Sequence, residues 1–407
     1  MSESGSKHAA AAAQTASGRS PILEKTDRCT TANYARYPIA FVSGHGCRLK
    51  GDDGREYLDL FSGLAVSSLG HGHPALVRAI QSQAQKLIHT SNLFYHEPGA
   101  LLAERLVELT FADRVFFCNS GAEANEAAIK MARRASSQSG RFRIVAAHRS
   151  FHGRTYGALA ATGQPELREG FGPMPEGFVH VEAGSAEAVS AAIDAQTAAV
   201  IVEPIIGEGG VLVPPAGYLR DLRRICDDSG TLLILDEVQT GNGRTGKLFA
   251  YEHEGIEPDI LTTAKGLAGG LPIGAVLARQ SVAASFVPGS HGTTFGANPV
   301  ACAAALAVIG ELVEGGVMEN VTRVGRYLVE RLRSTIGGRE DVTEIRGRGL
   351  MIGIEFKRET KPMVRDLFDC GVITNSTAGN VLRLIPPLIL SEAEVDEGVQ
   401  AIAKVLG

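Results

Sequence analysis

The sequence predicts an α/β fold, in which a large lobe with a mostly parallel sheet between helices is followed by a smaller α+β lobe at the C-terminus. Three observations carry that expectation. From Ala112 onward, short apolar or β-branched runs alternate with segments of helical period, the pattern of a sheet wrapped by helices. The runs are apolar nearly throughout rather than alternating, as strands covered on both faces are. The chain has 407 residues with 44% hydrophobic content, more than one core ordinarily organises.

Taken in chain order, the first thirty residues carry an alanine run from Ala9 to Ala13. Basic Lys7, Arg19, Lys25 and Arg28 outnumber Glu3 and Glu24 there, and no apolar core of secretory length is present. A disordered tail is expected over 1–30. Residues 31–85 should pack with the small lobe, 86–295 should form the large lobe, and 296–407 a connecting helix and the small lobe. Strands are expected at Val115–Cys118, Arg143–Ala147, Ala199–Glu203, Leu232–Asp236, Ile260–Thr263 and Ile273–Ala278, with a helix over Tyr218–Asp228. Toward the C-terminus, Leu350–Phe356, Val372–Asn375 and Val381–Leu384 read as strands around a helix near Met363–Asp369. The chain then closes with a helix that Ser391 and Glu394 can cap reciprocally.

Net charge is −5 with basic residues dispersed, so neither a nucleic-acid footprint nor a patch for anionic membranes is visible. Apolar stretches are broken within about ten residues, about half the length of a membrane span. Small solutes are the expected partners. The six cysteines form no C-x-x-C pair and read as reduced thiols, which points to the cytoplasm.

Three segments carry chemistry. After Cys118 the chain runs into NSGAEANEAAIK, where Ser120, Gly121 and Ala122 open a helix; small residues there let a phosphate approach free N–H groups. An ordinary capped helix explains the segment equally well by itself. It is neither G-x-G-x-x-G nor a P-loop, which weakens a dinucleotide reading. The run LLILD ends in Asp236 where a buried strand reaches its C-terminal edge, the side on which open α/β sheets build sites. A buried acid needs a partner, and a pyridinium nitrogen is a suitable one; an acid capping a turn, or holding a metal, fits Asp236 alone. Gln239, one turn on, is placed to reach such a ring's phenolic oxygen. The run DILTTAK ends in Lys265 before a glycine-rich turn, where desolvation can prepare an amine for imine chemistry; a solvated lysine head is the plain alternative. The conjunction of phosphate anchor, acid and lysine, each at a strand end, is far more specific than any one of them.

Over nearly the whole chain beyond the tail, the residues resemble the class III aminotransferases of pyridoxal-phosphate fold type I, within them the branch acting on ornithine and its N-acetyl derivative. The segments that carry the resemblance are HTSNLFYHEP from His89, FFCNSGAEANEAAIK from Phe116, SFHGRTYGALAATGQ from Ser150, VEPIIGEGG from Val202 and LDEVQTGNGRTGKLFAYEH from Leu235. TTAKGLAGGLPIGA from Thr262, HGTTFGANPVAC from His291 and NVLRLIPPL from Asn380 complete them. Ser67 and Gly72 depart from the Asn and Cys usual in the ornithine branch, which bears on donor identity.

The resemblance implies pyridoxal 5'-phosphate as cofactor, bound as a Schiff base to Lys265. It places Ser120, Gly121 and Ala122 at the phosphate, Phe151 on the ring face, and Asp236, Val238 and Gln239 among the ring contacts. Thr294 would cross a homodimer interface to the partner's cofactor phosphate, with Thr293 near substrate. Arg154 would take the donor's α-carboxylate, Arg383 the carboxylate of 2-oxoglutarate, and Glu208 would neutralise Arg383 while the donor is bound. The implied reaction is ping-pong transfer of the terminal amine of N2-acetyl-L-ornithine to 2-oxoglutarate, giving N-acetyl-L-glutamate 5-semialdehyde and glutamate in arginine biosynthesis. Ornithine, succinylornithine and 4-aminobutyrate are the alternative donors, and a non-enzymatic cofactor-binding regulator is the alternative from another class. A guanidinium grips a carboxylate through two parallel bonds, which suits both arginines, although interdomain ion pairs use them equally. His71 and His73, or His148 and His152, lack a third ligand at metal spacing, and no metal is expected.

Overall fold

The computed structural model describes residues 20–407. The expected tail therefore lies outside the described residues as far as residue 19. From Pro21 to Cys29 the chain is helical instead, with proline in the first turn and no buried side chain.

Among the described residues, fifteen strands form three sheets. Strands β1 (Phe41–His45), β2 (Arg48–Gly51) and β3 (Glu56–Asp59) make an antiparallel ribbon. The central sheet takes β4 (Arg114–Cys118), β5 (Arg143–Ala147), β6 (Phe178–Val181), β7 (Thr197–Val202), β8 (Leu232–Asp236), β9 (Ile260–Thr263) and β10 (Gly274–Ala278) in the order β4-β10-β9-β8-β7-β5-β6. Toward the C-terminus come β11 (Val342–Arg348), β12 (Met351–Phe356), β13 (Val372–Ile373), β14 (Asn375–Thr377) and β15 (Val381–Leu384). Strands β11, β12, β15 and β14 form the third sheet, while β13 joins β3 in parallel and so ties the two ends of the chain together.

In the central sheet only β10 runs against its neighbours. All six residues of β7 and all four of β9 are buried, as strands with helices on both faces must be. The helix Gly121–Ala135 lies close to the sheet because its inner face is built of Ala124, Ala127, Ala128 and Ala132. The helix Pro299–Val313 begins with proline, and its Asn298 cap accepts the amides of Val300 and Ala301. It packs against the helices Pro74–Lys86 and Glu97–Glu108. Each fully buried Leu, Ile or Val in these layers contributes about 1.5–3 kcal/mol. Sequence spacing missed β6, β11 and the β1–β3 ribbon. The closing helix Glu392–Leu406 has the expected reciprocal cap from Ser391 and Glu394.

Candidate active site

Strand register brings the chemistry together. Strands β7, β8 and β9 run parallel, with Val202 opposite Leu235 and Asp236 opposite Thr262. Glu203 and Asp236 therefore leave the sheet side by side at its C-terminal edge, and Lys265 follows on the next strand. Strand β4 ends at the same edge, with Cys118 opposite Gly274. A Cβ on Gly274 would stand 2.4 Å from the Ser120 carbonyl, so only glycine lets the turn after β4 lie against β10.

That turn forms an anion cradle. Ser120 caps the helix Gly121–Ala135, its Oγ accepting from the Glu123 amide at 3.2 Å. Its hydroxyl proton stays available to a ligand. Among the described residues the amides of Gly121 and Ala122 have no protein acceptor, and both lie at the positive end of a long helix. A Cβ on Gly121 would meet Val238 Cγ1 at 2.7 Å, so Val238 closes directly on the cradle. Asn119 Nδ2 donates to Glu123 at 2.8 Å and to Thr293 Oγ1 at 3.0 Å, which draws Thr293 to the site while Thr294 faces outward.

Asp236 is buried and fully engaged. Its Oδ2 lies 2.7 Å from both Asn125 Nδ2 and His152 Nδ1, and its Oδ1 accepts the Val238 amide at 3.1 Å. Asn125 is itself fixed by the His152 carbonyl and the Thr262 hydroxyl. Burial alone would lower the pKa of His152, but the bond to Asp236 and the charges of Asp236 and Glu203 raise it, favouring an imidazolium against the acid. Glu203 accepts the amides of Phe151 at 2.9 Å and Gly207 at 3.3 Å. Burial, with Asp236 beside it, pushes Glu203 up to about 7 against the opposing pull of His152 and those amides.

Lys265 has φ 43°, a left-handed backbone that costs a side-chain-bearing residue about 1–2 kcal/mol and occurs mainly where function requires it. Its amine makes no hydrogen bond or ion pair among the described residues. Burial lowers its pKa, Arg383 adds to the shift, and Glu208, Asp236 and Glu203 oppose it. All these groups therefore share one electrostatic neighbourhood.

Arg383, on β15, is wholly buried. Its Nη1 donates to Glu208 Oε1 at 2.7 Å and Gln239 Oε1 at 3.1 Å, and its Nε donates to Asn375 Oδ1 at 3.0 Å. Its Nη2 is buried without a partner. Gln239 was expected at a ring oxygen. In the structure its amide bridges Arg383 and, at 3.4 Å, Glu208. Burial alone would raise the pKa of Glu208, but Arg383, then Lys265 and Gln239, bring it below the ordinary value. Arg154 is exposed, with its guanidinium 5.7 Å above the half-buried Phe151 ring and no ion pair among the described residues.

Four participants escape a reading of the sequence. Glu203 carries the same signal as Asp236, an acid ending an apolar strand. His152 stands at a spacing that suggests only a metal ligand, yet it serves an acid. Asn125 stands one turn into the cradle helix and gives no sign. Glu237, next to Asp236 in the chain, is fully buried, accepting from Thr240 Oγ1 and from the amides of Ala250 and Tyr251. Among the described residues no group of three or more His, Cys, Asp and Glu is arranged to hold a metal. The donor set does fit pyridoxal phosphate, since it offers free amides for a phosphate, a buried carboxylate for a pyridine nitrogen and an unpartnered amine for an aldehyde.

Known proteins resemble this chain in sequence and in fold. The sequence model "Aminotransferase class-III" matches residues 30–406. The acetylornithine aminotransferase of Caldanaerobacter subterraneus subsp. tengcongensis is 50% identical over 377 residues, 92% of this chain and 96% of that protein. That of Methanothermobacter thermautotrophicus is 47% identical over 385 residues, covering 95% and 98%. Among solved structures, the ornithine aminotransferase from Toxoplasma gondii ME49 superposes with a TM-score of 0.91 at 34% identity, covering 94% of each chain. The chain with the buried Asp236 and the unpartnered Lys265 at one sheet edge belongs to the class III aminotransferases, pyridoxal-phosphate-dependent enzymes of the α/β fold type I.

Proposed function

We propose that this aminotransferase moves the terminal amine of N2-acetyl-L-ornithine to 2-oxoglutarate, yielding N-acetyl-L-glutamate 5-semialdehyde and glutamate in arginine biosynthesis. The observation that carries the reading is the pairing of half-buried Glu208 with the wholly buried Arg383 beside Lys265. One pocket must take a donor whose reacting end carries no carboxylate and then an acceptor that does, and a masked arginine serves both. The names of the relatives support N-acetylornithine as donor.

Pyridoxal phosphate, when bound, supplies an aldehyde for the amine and a ring that stores electrons. Toward it, Gly121, Ala122 and Ser120 donate to the phosphate, joined by the partner subunit's Thr294. Phe151 and Val238 would flank the ring. Asp236, with His152 and Asn125 behind it, would meet the pyridine nitrogen and favour its protonated form. Gln239, whose Nε2 donates to Glu208, would have its second amide hydrogen for the phenolic oxygen. Lys265 would hold the aldehyde, and its Nζ would carry the proton of the donor carbon, a role for which a lowered amine pKa suits it. Arg154 takes the donor's α-carboxylate with Thr293 nearby, and Arg383 takes the acceptor's carboxylate once Glu208 swings away.

Leu93, Phe94, Tyr95 and Phe295 stand exposed, and Asn92 Nδ2 ties the first segment to the second by donating to the Thr293 and Gly296 carbonyls. So much apolar surface favours a homodimer with its sites at the interface. The free state of all six cysteines agrees with a cytoplasmic enzyme. The test is an amino-donor screen of the holoenzyme with 2-oxoglutarate. N-acetylornithine should give the highest kcat/KM among N-acetylornithine, ornithine, N-succinylornithine and 4-aminobutyrate, and a clear preference for any of the others would refute the donor assignment.

A further inference from the structure

Arg244 and Arg383 are the two largest wholly buried side chains among the described residues. Arg383 has a carboxylate to meet it. Arg244 has none at ion-pair distance among the described residues, the charge of Asp59 reaching it only from farther off, and its Nε has no partner. Its Nη1 donates instead to two carbonyls, Leu350 at 3.0 Å and Pro386 at 2.5 Å. A cation taken out of water without a carboxylate in direct contact is costly, and burial accordingly pulls the Arg244 pKa down to about 9, so a residue needed only to fill space here would be apolar.

What the guanidinium holds gives the reason. Pro386 lies three residues beyond Arg383 on the chain leaving β15. That exit is pinned at Ile385, whose amide donates to the Leu60 carbonyl at 2.9 Å and whose carbonyl accepts from Ser62 Oγ at 2.7 Å. Further on, the Leu388 amide donates to the Ser68 carbonyl at 2.7 Å. Pro386 has no amide proton to offer, so its carbonyl is the remaining handle, and Arg244 takes it. The Leu350 amide donates back to the Arg244 carbonyl at 3.0 Å, which closes the β11–β12 hairpin on the same residue. Arg244 and Gln239 sit on one loop leaving β8. That loop grips β15 and its exit twice, Gln239 at the Arg383 guanidinium and Arg244 at Pro386.

We propose that Arg244 is a positioning residue for the amino acceptor: by tying the Pro386 and Leu350 carbonyls to the loop after β8, it fixes where the Arg383 guanidinium stands against Gln239 and Glu208. The inference rests on the reading that Arg383 takes the acceptor's carboxylate. A displacement of Arg383 on the order of 1 Å degrades carboxylate capture by about tenfold to a hundredfold and leaves the donor's site at Arg154 untouched.

The test titrates glutarate, a dicarboxylate with no keto group to react, into the holoenzyme by calorimetry, and measures the donor half-reaction separately in single turnover. Arg383→Met should abolish glutarate binding. Arg244→Met should weaken it about tenfold or more while the donor half-reaction keeps its apparent affinity within about twofold. Arg244→Lys, which keeps the charge but can satisfy fewer carbonyls, should fall between. Parental glutarate affinity in Arg244→Met, or equal losses for donor and dicarboxylate, overturns the inference. Should Arg244→Met not fold, Arg244→Lys decides on the same criterion of a loss confined to the dicarboxylate. If Arg383→Met binds glutarate as the parent does, the assignment of Arg383 itself fails, an outcome distinct from failure at Arg244 alone.

Discussion

Replacing Glu208 by Gln tests the switch directly. The carboxylate oxygen stands 2.7 Å from a guanidinium nitrogen that has no solvent contact, while Glu208 itself keeps 27% of its side-chain surface exposed. Two unit charges centred about 4 Å apart interact by about 4 kcal/mol at the effective dielectric of a protein margin. Screening at the exposed side of Glu208 reduces that to about 2 kcal/mol, or about thirtyfold in an equilibrium. The substituted glutamine can still accept from Arg383 through its amide oxygen, so the hydrogen bond survives and the charge pairing does not. Arg383 then faces the pocket uncompensated. The kcat/KM for N-acetylornithine should fall about thirtyfold relative to that for glutamate, each measured in its own half-reaction by the absorbance change of the bound cofactor. Raising the ionic strength should narrow the gap little, because Arg383 is buried. An unchanged ratio would refute the masking role. The pH sense follows from the depressed pKa of Glu208: its stabilising contribution is present above the ordinary carboxylate value and is lost only as pH falls through the lower folded value, so the mask stays closed at neutral pH.

Lys265→Ala should eliminate turnover and the visible band of the lysine-bound cofactor, yet the cofactor-free protein should melt no lower than the parent, because a buried amine without a partner is removed; a retained band sinks the assignment. Glu203→Gln addresses the raised acid. A carboxyl whose folded pKa rises from 4.5 to about 7 contributes stability fully present below the first value and lost as pH climbs through the second. The Gln variant, which never charges, should therefore gain on the parent as pH rises from about 4.5 to about 7, by on the order of 3 kcal/mol at most, and a melting-temperature difference flat across that range contradicts it. Tyr95→Asp, placing a charge among exposed apolar side chains, should yield monomers on size exclusion and lose cofactor affinity in parallel; an intact dimer would remove the proposed interface from that surface.

Sequence legibility followed the range of the interactions. Strands β5, β8 and β9 match the expected bounds residue for residue, because their apolar runs end in abrupt turns and both faces are covered. The convergence of Asp236 and Lys265 followed from the same feature, since parallel buried strands deliver their last residues to one edge. The β1–β3 ribbon and β11 were not legible: β1 and β11 are largely exposed or half-buried, and without a buried face there is no strong pattern to read. Phe178–Val181 at the sheet's edge is half-buried throughout and was lost for the same reason.

Site residues divide in the same way, and the division has a physical cause. A residue whose partner is the end of its own strand announces itself locally, as Asp236 does and as Glu203 would have done had the acid after Val202 been weighed like the acid after Leu235. A residue whose partner lies far along the chain carries no local mark. Arg383 meets Glu208 across 175 positions, and Arg244 meets Leu350 and Pro386 across 106 and 142. The first pair was reachable only through family resemblance. The second was not reachable at all, because a carbonyl acceptor is present at every residue and selects no side chain in advance. His152 is a further case: an imidazole four residues from another looks like half a metal site, a reading set aside for want of a third ligand, but the sequence names no other partner, and the fold turns His152 inward to Asp236 at 2.7 Å. Buried charge in this protein is thus arranged in layers behind the reacting groups, with His152 and Asn125 behind Asp236, and Gln239, Asn375 and Arg244 around Arg383. Those outer layers fix where the reacting groups stand, so substitutions there should separate donor from acceptor chemistry more cleanly than substitutions of the reacting groups themselves.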